Sequence, residues 1–189
     1  MSQTPTNPPA GAGGPTVTEH GHPEDHGAEA LESATQRSRT ISAQLGAIVA
    51  VLMRSPDHRQ IPIGDLEGLV GPALAIGQFA IAEGRGNTGI VVPVAAITWA
   101  LVSEEVDQRL SDLTNDKPRL EPKEWRSGTI PWIITAAGEM KVLNPLLKHL
   151  TEKQFANFGP KIRLRSNEGK VMVAQVGNTP LGHPSAPDA

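Results

Sequence analysis

Among the side chains that could move a proton, His58 stands out. It lies in the short polar stretch Ser55-Pro56-Asp57-His58-Arg59. A neutral imidazole accepts a proton near pH 7, so a histidine on a loop held by a rigid scaffold is a candidate general base. Ser55, three residues earlier, is placed to hydrogen-bond either that ring or a reacting carbonyl. His149 falls at the end of a helical pattern, where imidazole meets the helix dipole favourably, and is read as structural. His20, His22 and His26 are metal-ligating types but are irregularly spaced with no evident scaffold, so no metal site is assigned. Lys161-Ile162-Arg163-Leu164-Arg165, if extended, puts Lys161, Arg163 and Arg165 on one face as a basic strip. Gly84-Arg-Gly-Asn-Thr-Gly89 joins two strands and opens no helix, so it is a hairpin turn and not a phosphate cradle.

Composition removes several classes of function. The chain of 189 residues has no cysteine, which excludes a disulfide scaffold, a thiolate zinc site and a cysteine nucleophile. A formal charge of −3 and a pI near 6.1 argue against a nucleic-acid binder. No basic and apolar leader opens the sequence, and the longest apolar run, Ile90 to Val102, is interrupted by Pro93 and is shorter than the ~20 residues of a membrane span. A soluble, cytoplasmic protein is expected.

The elements that must position His58 are legible from periodicity. Residues 1–40 are rich in Pro, Gly and acids and are expected to be a disordered tail, and 178–189 a flexible C-terminal tail. The domain is expected over 41–177. Leu45, Ile48, Val49 and Leu52 mark one helical face over Ser42–Met53, with Ser42 as cap, and Pro56 ends that helix. Ile63–Ile76 is a second helix. Gln78–Glu83 and Ile90–Trp99 form a hairpin, with Pro93 marking a bulge or an edge. Glu104–Leu113 is a helix capped by Ser103, followed by a loop over 115–128. Ile130–Ala137 is a strand, Met140–Leu150 a helix, and Pro160–Arg165 with Lys170–Val176 a closing hairpin. This mixture predicts an α+β fold of mixed layers, with a central, mostly antiparallel sheet and flanking helices.

Four ordered stretches carry a resemblance. They are Leu45-Gly46 with Ser55-Pro56-Asp57-His58-Arg59 and Pro62; Gly71-Pro72-Ala73-Leu74 with Gln78-Phe79-Ala80; Pro93-Val94-Ala95, Trp99-Ala100 and Ser103-Glu104-Glu105-Val106; and Glu124-Trp125-Arg126-Ser127-Gly128 with Trp132-Ile133-Ile134. At this spacing, from about Leu45 to Arg165, the chain resembles the RTX toxin-activating lysine acyltransferases of the hemolysin-activating type.

The resemblance implies a variant of the GNAT acyltransferase fold. It implies transfer of a fatty acyl group from acyl–acyl carrier protein to internal lysines of an RTX protoxin, with the acylated carrier as co-substrate and no further cofactor. Members of that family are often dimers. The family's essential histidine corresponds to His58, acting as general base or through a covalent intermediate, with the base role favoured. Acyl carrier proteins are acidic, so Lys161, Arg163 and Arg165 are the expected docking strip, the alternative being a solvated sheet face. The family carries an Asp where this chain has Thr135. A hydroxyl can orient an imidazole but supplies no charge. Asp57 or Glu139 substitutes for that carboxylate, or the carboxylate is dispensable, or the chain is a catalytically weakened relative that binds toxin or carrier protein as an adaptor. A third class, an acetyl-CoA-dependent acetyltransferase, would ignore the carrier protein.

Overall fold

The computed structural model describes residues 23–86, 89–115, 118–155, 158–166 and 169–177, with side chains from residue 29 onward. The chain divides into two units, residues 1–37 and 38–189. Of the first, residues 23–37 are helical, and the side chains from 29 to 37 are exposed.

The first helix, α1, is Pro23–Leu52. The irregular tail expected over 1–40 is therefore corrected: from residue 23 the backbone is helical, and residues 1–22 and 178–189 lie outside the described residues. Ala30, Leu31, Glu32, Ala34, Gln36 and Arg37 are good helix formers, so local propensity favours helix there without burial. Ser42 is consequently not a cap. It sits inside the helix, and its hydroxyl donates back to the Ser38 carbonyl.

In the second unit α1 is followed by α2 (Ile63–Ile76), β1 (Phe79–Arg85), β2 (Val91–Val102), α3 (Glu104–Ser111), a 3₁₀ turn (Pro122–Trp125), β3 (Ile130–Gly138), α4 (Met140–Lys153), β4 (Lys161–Arg165) and β5 (Val171–Gln175). Gly77, at φ 72°, closes α2 in the left-handed conformation that glycine adopts without steric cost. Ser103 caps α3 as expected, its hydroxyl accepting from the Val106 amide. The loop expected over 115–128 carries the 3₁₀ turn, which a reciprocal capping box of Glu121 and Glu124 holds.

The strands form one sheet in the order β1-β2-β3-β4-β5, antiparallel except for β3 with β4. This is the expected α+β fold, compatible with a GNAT-like arrangement. The β3–β4 pairing consists of Trp132 with Lys161 and Ile133 with Ile162. Two bulges bend the sheet. Ala82 pairs with Ala95 and Glu83 with Pro93, so Val94 is the extra residue beside the proline. Thr98 pairs with Thr135 and Trp99 with Ile133, so Ile134 is extra in β3.

Alternation along β2 and β3 sorts the core into two faces. Ala95, Ile97, Trp99 and Ile133 pack with Leu143, Leu147 and Leu150 of α4. On the other face Ala96 and Ala137 meet Ile48, Val51 and Leu52 of α1 and Val70 and Leu74 of α2. Further along it, Ala100, Val102 and Trp132 meet Val106 and Leu110 of α3 and Trp125. Each buried aliphatic side chain contributes about 1.5–3 kcal/mol. The α1 contacts therefore fix where the helix ends, and that end carries His58. Among the described residues no helix is long and apolar enough to cross a membrane.

Candidate active site

The break after α1 is built in one tight turn. The amides of Met53, Arg54 and Ser55 still donate to Val49, Val51 and Leu52, winding the helix down. Pro56 disfavours helical geometry at Ser55, whose carbonyl then accepts from the amides of both His58 (3.1 Å) and Arg59 (2.9 Å). That turn brings the Ser55 Oγ to 2.8 Å from His58 Nδ1. With the proton on Nδ1, the serine oxygen accepts and Nε2 presents a lone pair. Among the described residues the ring has no other hydrogen-bond partner. Of the two partners weighed for the Ser55 hydroxyl, the structure shows the ring of His58.

His58 is half-buried. Loss of solvent holds its pKa below the ordinary histidine value, and the negative charge of the adjacent Asp57 partly opposes this. The ring is therefore neutral at neutral pH and able to take a proton. The guanidinium of Arg54 donates to the Pro93 carbonyl, tying the turn to the bulged section of β2. Sequence reasoning did not connect Arg54 with Pro93. The two are 39 residues apart, and only the Pro93 bulge was visible.

Thr135 is placed differently from its expected role. It is 2% exposed, stands opposite Thr98 in the sheet, and its hydroxyl has no hydrogen-bond partner. It does not hydrogen-bond His58; Ser55 orients the ring instead. Thr98, fully buried, likewise has an unpartnered hydroxyl. Of the two carboxylates weighed as substitutes, Glu139 is exposed and ion-paired with Lys141 at 2.6 Å, whereas Asp57 acts electrostatically on His58.

The residues of the expected docking strip have partners within the fold. Lys161 donates to both carboxylate oxygens of Asp107 at 2.8 Å and lies over the Trp132 ring. Arg163 donates to the carbonyls of Leu110, Asp112 and Asn115. The shared face predicted by strand alternation is real, but it is turned onto α3 and the segment after it. Two of the three charges therefore clamp an element of the fold, while Arg165 reaches the Gly169 carbonyl. Asp107 went unrecognised as their partner because it is one of three acids in the first turn of α3, where helix-dipole stabilisation already accounts for it. His149 is exposed on α4. The side chains of His20, His22 and His26 lie outside the described ones, and among the described residues no group of three or more His, Asp or Glu side chains is placed to hold a metal ion.

The profile of the RTX toxin acyltransferase family matches residues 37–177, from within α1 to just beyond β5. The chain belongs to the RTX toxin acyltransferase family. Membership takes in His58, Ser55, Thr135 and every strand of the sheet. The chain is also similar to the lysine-acyltransferase RtxC of Vibrio cholerae serotype O1, with 29% identity over 115 residues, covering 58% of this chain and 70% of the relative.

Proposed function

We propose that the protein transfers a fatty acyl group from acyl–acyl carrier protein to the ε-amine of internal lysines of an RTX protoxin in the cytoplasm, with His58 as general base. The observation that carries this is the Ser55–His58 pair: a half-buried ring fixed at Nδ1 with Nε2 left free, in a member of an acyltransferase family. The lysine specificity is supported by the similarity to a lysine-acyltransferase.

A lysine with its ordinary pKa of ~10.4 reaches the enzyme as an ammonium, which cannot attack. When this ammonium gives up one proton to solvent, the amine that forms bonds through nitrogen to the thioester carbonyl carbon. His58 Nε2 takes the second proton as that nitrogen becomes more acidic. The carbon–sulfur bond then breaks, the amide forms, and the leaving thiolate takes the proton back from the imidazolium. A ring whose pKa is held low returns that proton readily. Asp57 supplies the nearby negative charge that Thr135 does not.

The test is incubation with acyl carrier protein charged with a long acyl chain and a toxin fragment, with lysine acylation read by mass. Transfer by the wild type, its loss in His58→Ala with the fold retained, and no transfer from acyl-CoA are expected. Retained transfer in His58→Ala removes the base role. The adaptor alternative draws on the unpartnered Thr135 hydroxyl. It predicts no transfer by the wild type and a gain in Thr135→Asp.

A further inference from the structure

The two outer strands of the sheet, β1 and β5, differ as edges. β1 carries Glu83 and Arg85 at exposed positions and lies against the bulge at Val94; charges and bulges blunt an edge against added strands. β5, Val171-Met172-Val173-Ala174-Gln175, has no charge, no proline and no bulge. The ladder to β4 fixes which of its backbone groups are used. The Val176 amide donates to the Pro160 carbonyl and the Ser166 amide to the Lys170 carbonyl, at the two ends of one unbroken register. Hydrogen-bonded and non-bonded pairs alternate in an antiparallel ladder, so Met172 and Ala174 bond inward to β4. Val171, Val173 and Gln175 therefore direct three N–H and three C=O groups outward, and among the described residues these groups have no partner. Where this edge ends, an apolar cavity begins. It measures about 420 Å³, and Ile130, Pro131, Phe155, Phe158 and Gln175, the last residue of β5, are in its wall. Phe158 is 71% exposed there.

We infer that β5 and this cavity form a docking site for an extended peptide segment of a partner protein. The segment adds antiparallel to β5 as a sixth strand, and an aromatic or large aliphatic side chain of it enters the cavity beyond Gln175. The outward backbone groups select the occupant. They recur every second residue, ~6.6 Å apart, a spacing matched by another extended main chain and by no lipid or small solute. The cavity selects the side chain: an apolar void of about 150 Å³ holds a benzene, so this one has room for an aromatic ring. A second copy of this chain fits less well. Paired about Val173, it would use all the outward groups, but it would set its Val171 opposite Gln175 and its Lys170 ammonium next, at the apolar opening. β5 is three strands from β2, to which Arg54 ties the His58 turn, roughly 14 Å at ~4.8 Å per strand.

The site needs no turnover and no role for His58, so it stands or falls apart from the proposed reaction. A phage-displayed library of random twelve-residue peptides is selected on the full chain, and enriched peptides are synthesised and titrated against wild type, Val171→Pro, Val171→Thr and Phe158→Asp. Val171→Pro removes an N–H that β4 does not use, Val171→Thr keeps it, and Phe158 is exposed. Enriched peptides should carry an aromatic or large aliphatic residue ahead of alternating β-branched residues. Their binding should weaken at least tenfold in Val171→Pro and in Phe158→Asp and stay near wild type in Val171→Thr. Hydrogen exchange on the wild type reads the edge without any substitution: bound peptide should slow the amides of Val171, Val173 and Gln175 and leave those of Met172 and Ala174 little changed. No enriched peptide, binding indifferent to Phe158→Asp, or unslowed exchange at those three amides overturns the assignment. Self-association of the wild type in sedimentation that Val171→Pro abolishes would overturn it too, by placing a second copy on the edge.

Discussion

Ser55 Oγ lies 2.8 Å from His58 Nδ1 across a single turn whose backbone is closed by two hydrogen bonds to the Ser55 carbonyl. One residue therefore fixes both the path of the chain and the orientation of the ring. In triad enzymes a carboxylate orients the base and also stabilises its charged form. Here a hydroxyl contacts the ring, and Asp57 along the chain supplies a nearby negative charge.

Ser55→Ala should lower kcat for acyl transfer about tenfold, with KM little changed. A hydrogen bond of this kind contributes ~1–1.5 kcal/mol, and ~1.4 kcal/mol is tenfold in rate. Ser55→Thr keeps the oxygen and should restore most of the rate. An equal loss in Ser55→Thr and Ser55→Ala would show that the oxygen does not orient the ring.

The rate should fall on the acid side with a midpoint below the ordinary histidine value of 6.5, because burial disfavours the charged ring. Asp57 raises the His58 pKa, so Asp57→Asn should move that midpoint to lower pH. The same shift enters stability. Between the folded and unfolded pKa values the unfolded chain binds more protons, so His58 makes stability rise with pH across that window and costs stability as the solution is acidified below 6.5. His58→Gln should flatten this part of the curve of unfolding free energy against pH. A limb centred above 6.5 would contradict the burial seen here.

Period and punctuation made most of the fold legible. The α2 boundaries, the Ser103 cap, the hairpin with its bulge beside Pro93, and both C-terminal strands follow from residue types within a few positions. The start of α1 did not, because Pro and Gly crowd residues 1–22 and mask the helix-forming run that follows. At the site, Ser55 and His58 are neighbours in sequence and their pairing is local. The fates of Lys161 and Arg163 were not legible: alternation fixes which side chains share a face, not whether that face meets water or α3. Thr135 is a similar case, since family position gave it a role that its buried place opposite Thr98 does not support.

Asp107→Ala should destabilise the protein by about 2–3 kcal/mol. It would leave the Lys161 ammonium and the Trp132 indole N–H, both partly buried around that carboxylate, without their acceptor. Asp107→Asn keeps an oxygen and should cost less. Chemical denaturation of the three proteins reads the order directly, and equal stability would mean that α3 is held by its apolar contacts alone.

Thr135→Val removes a hydroxyl that is 2% exposed and has no partner, in exchange for a methyl of nearly the same volume. An unsatisfied buried hydroxyl costs about 1–3 kcal/mol, so the substitution should raise stability by roughly that amount, and Thr98→Val by a similar amount. The two stand opposite each other in the sheet, so their effects should not simply add in the double variant. Acyl transfer is the second readout. Because Ser55 and not Thr135 holds the His58 ring, Thr135→Val should keep kcat within about twofold of wild type. A folded Thr135→Val protein that has lost transfer would place that hydroxyl in the reaction after all and would make the conformation of β3 during turnover different from the one described.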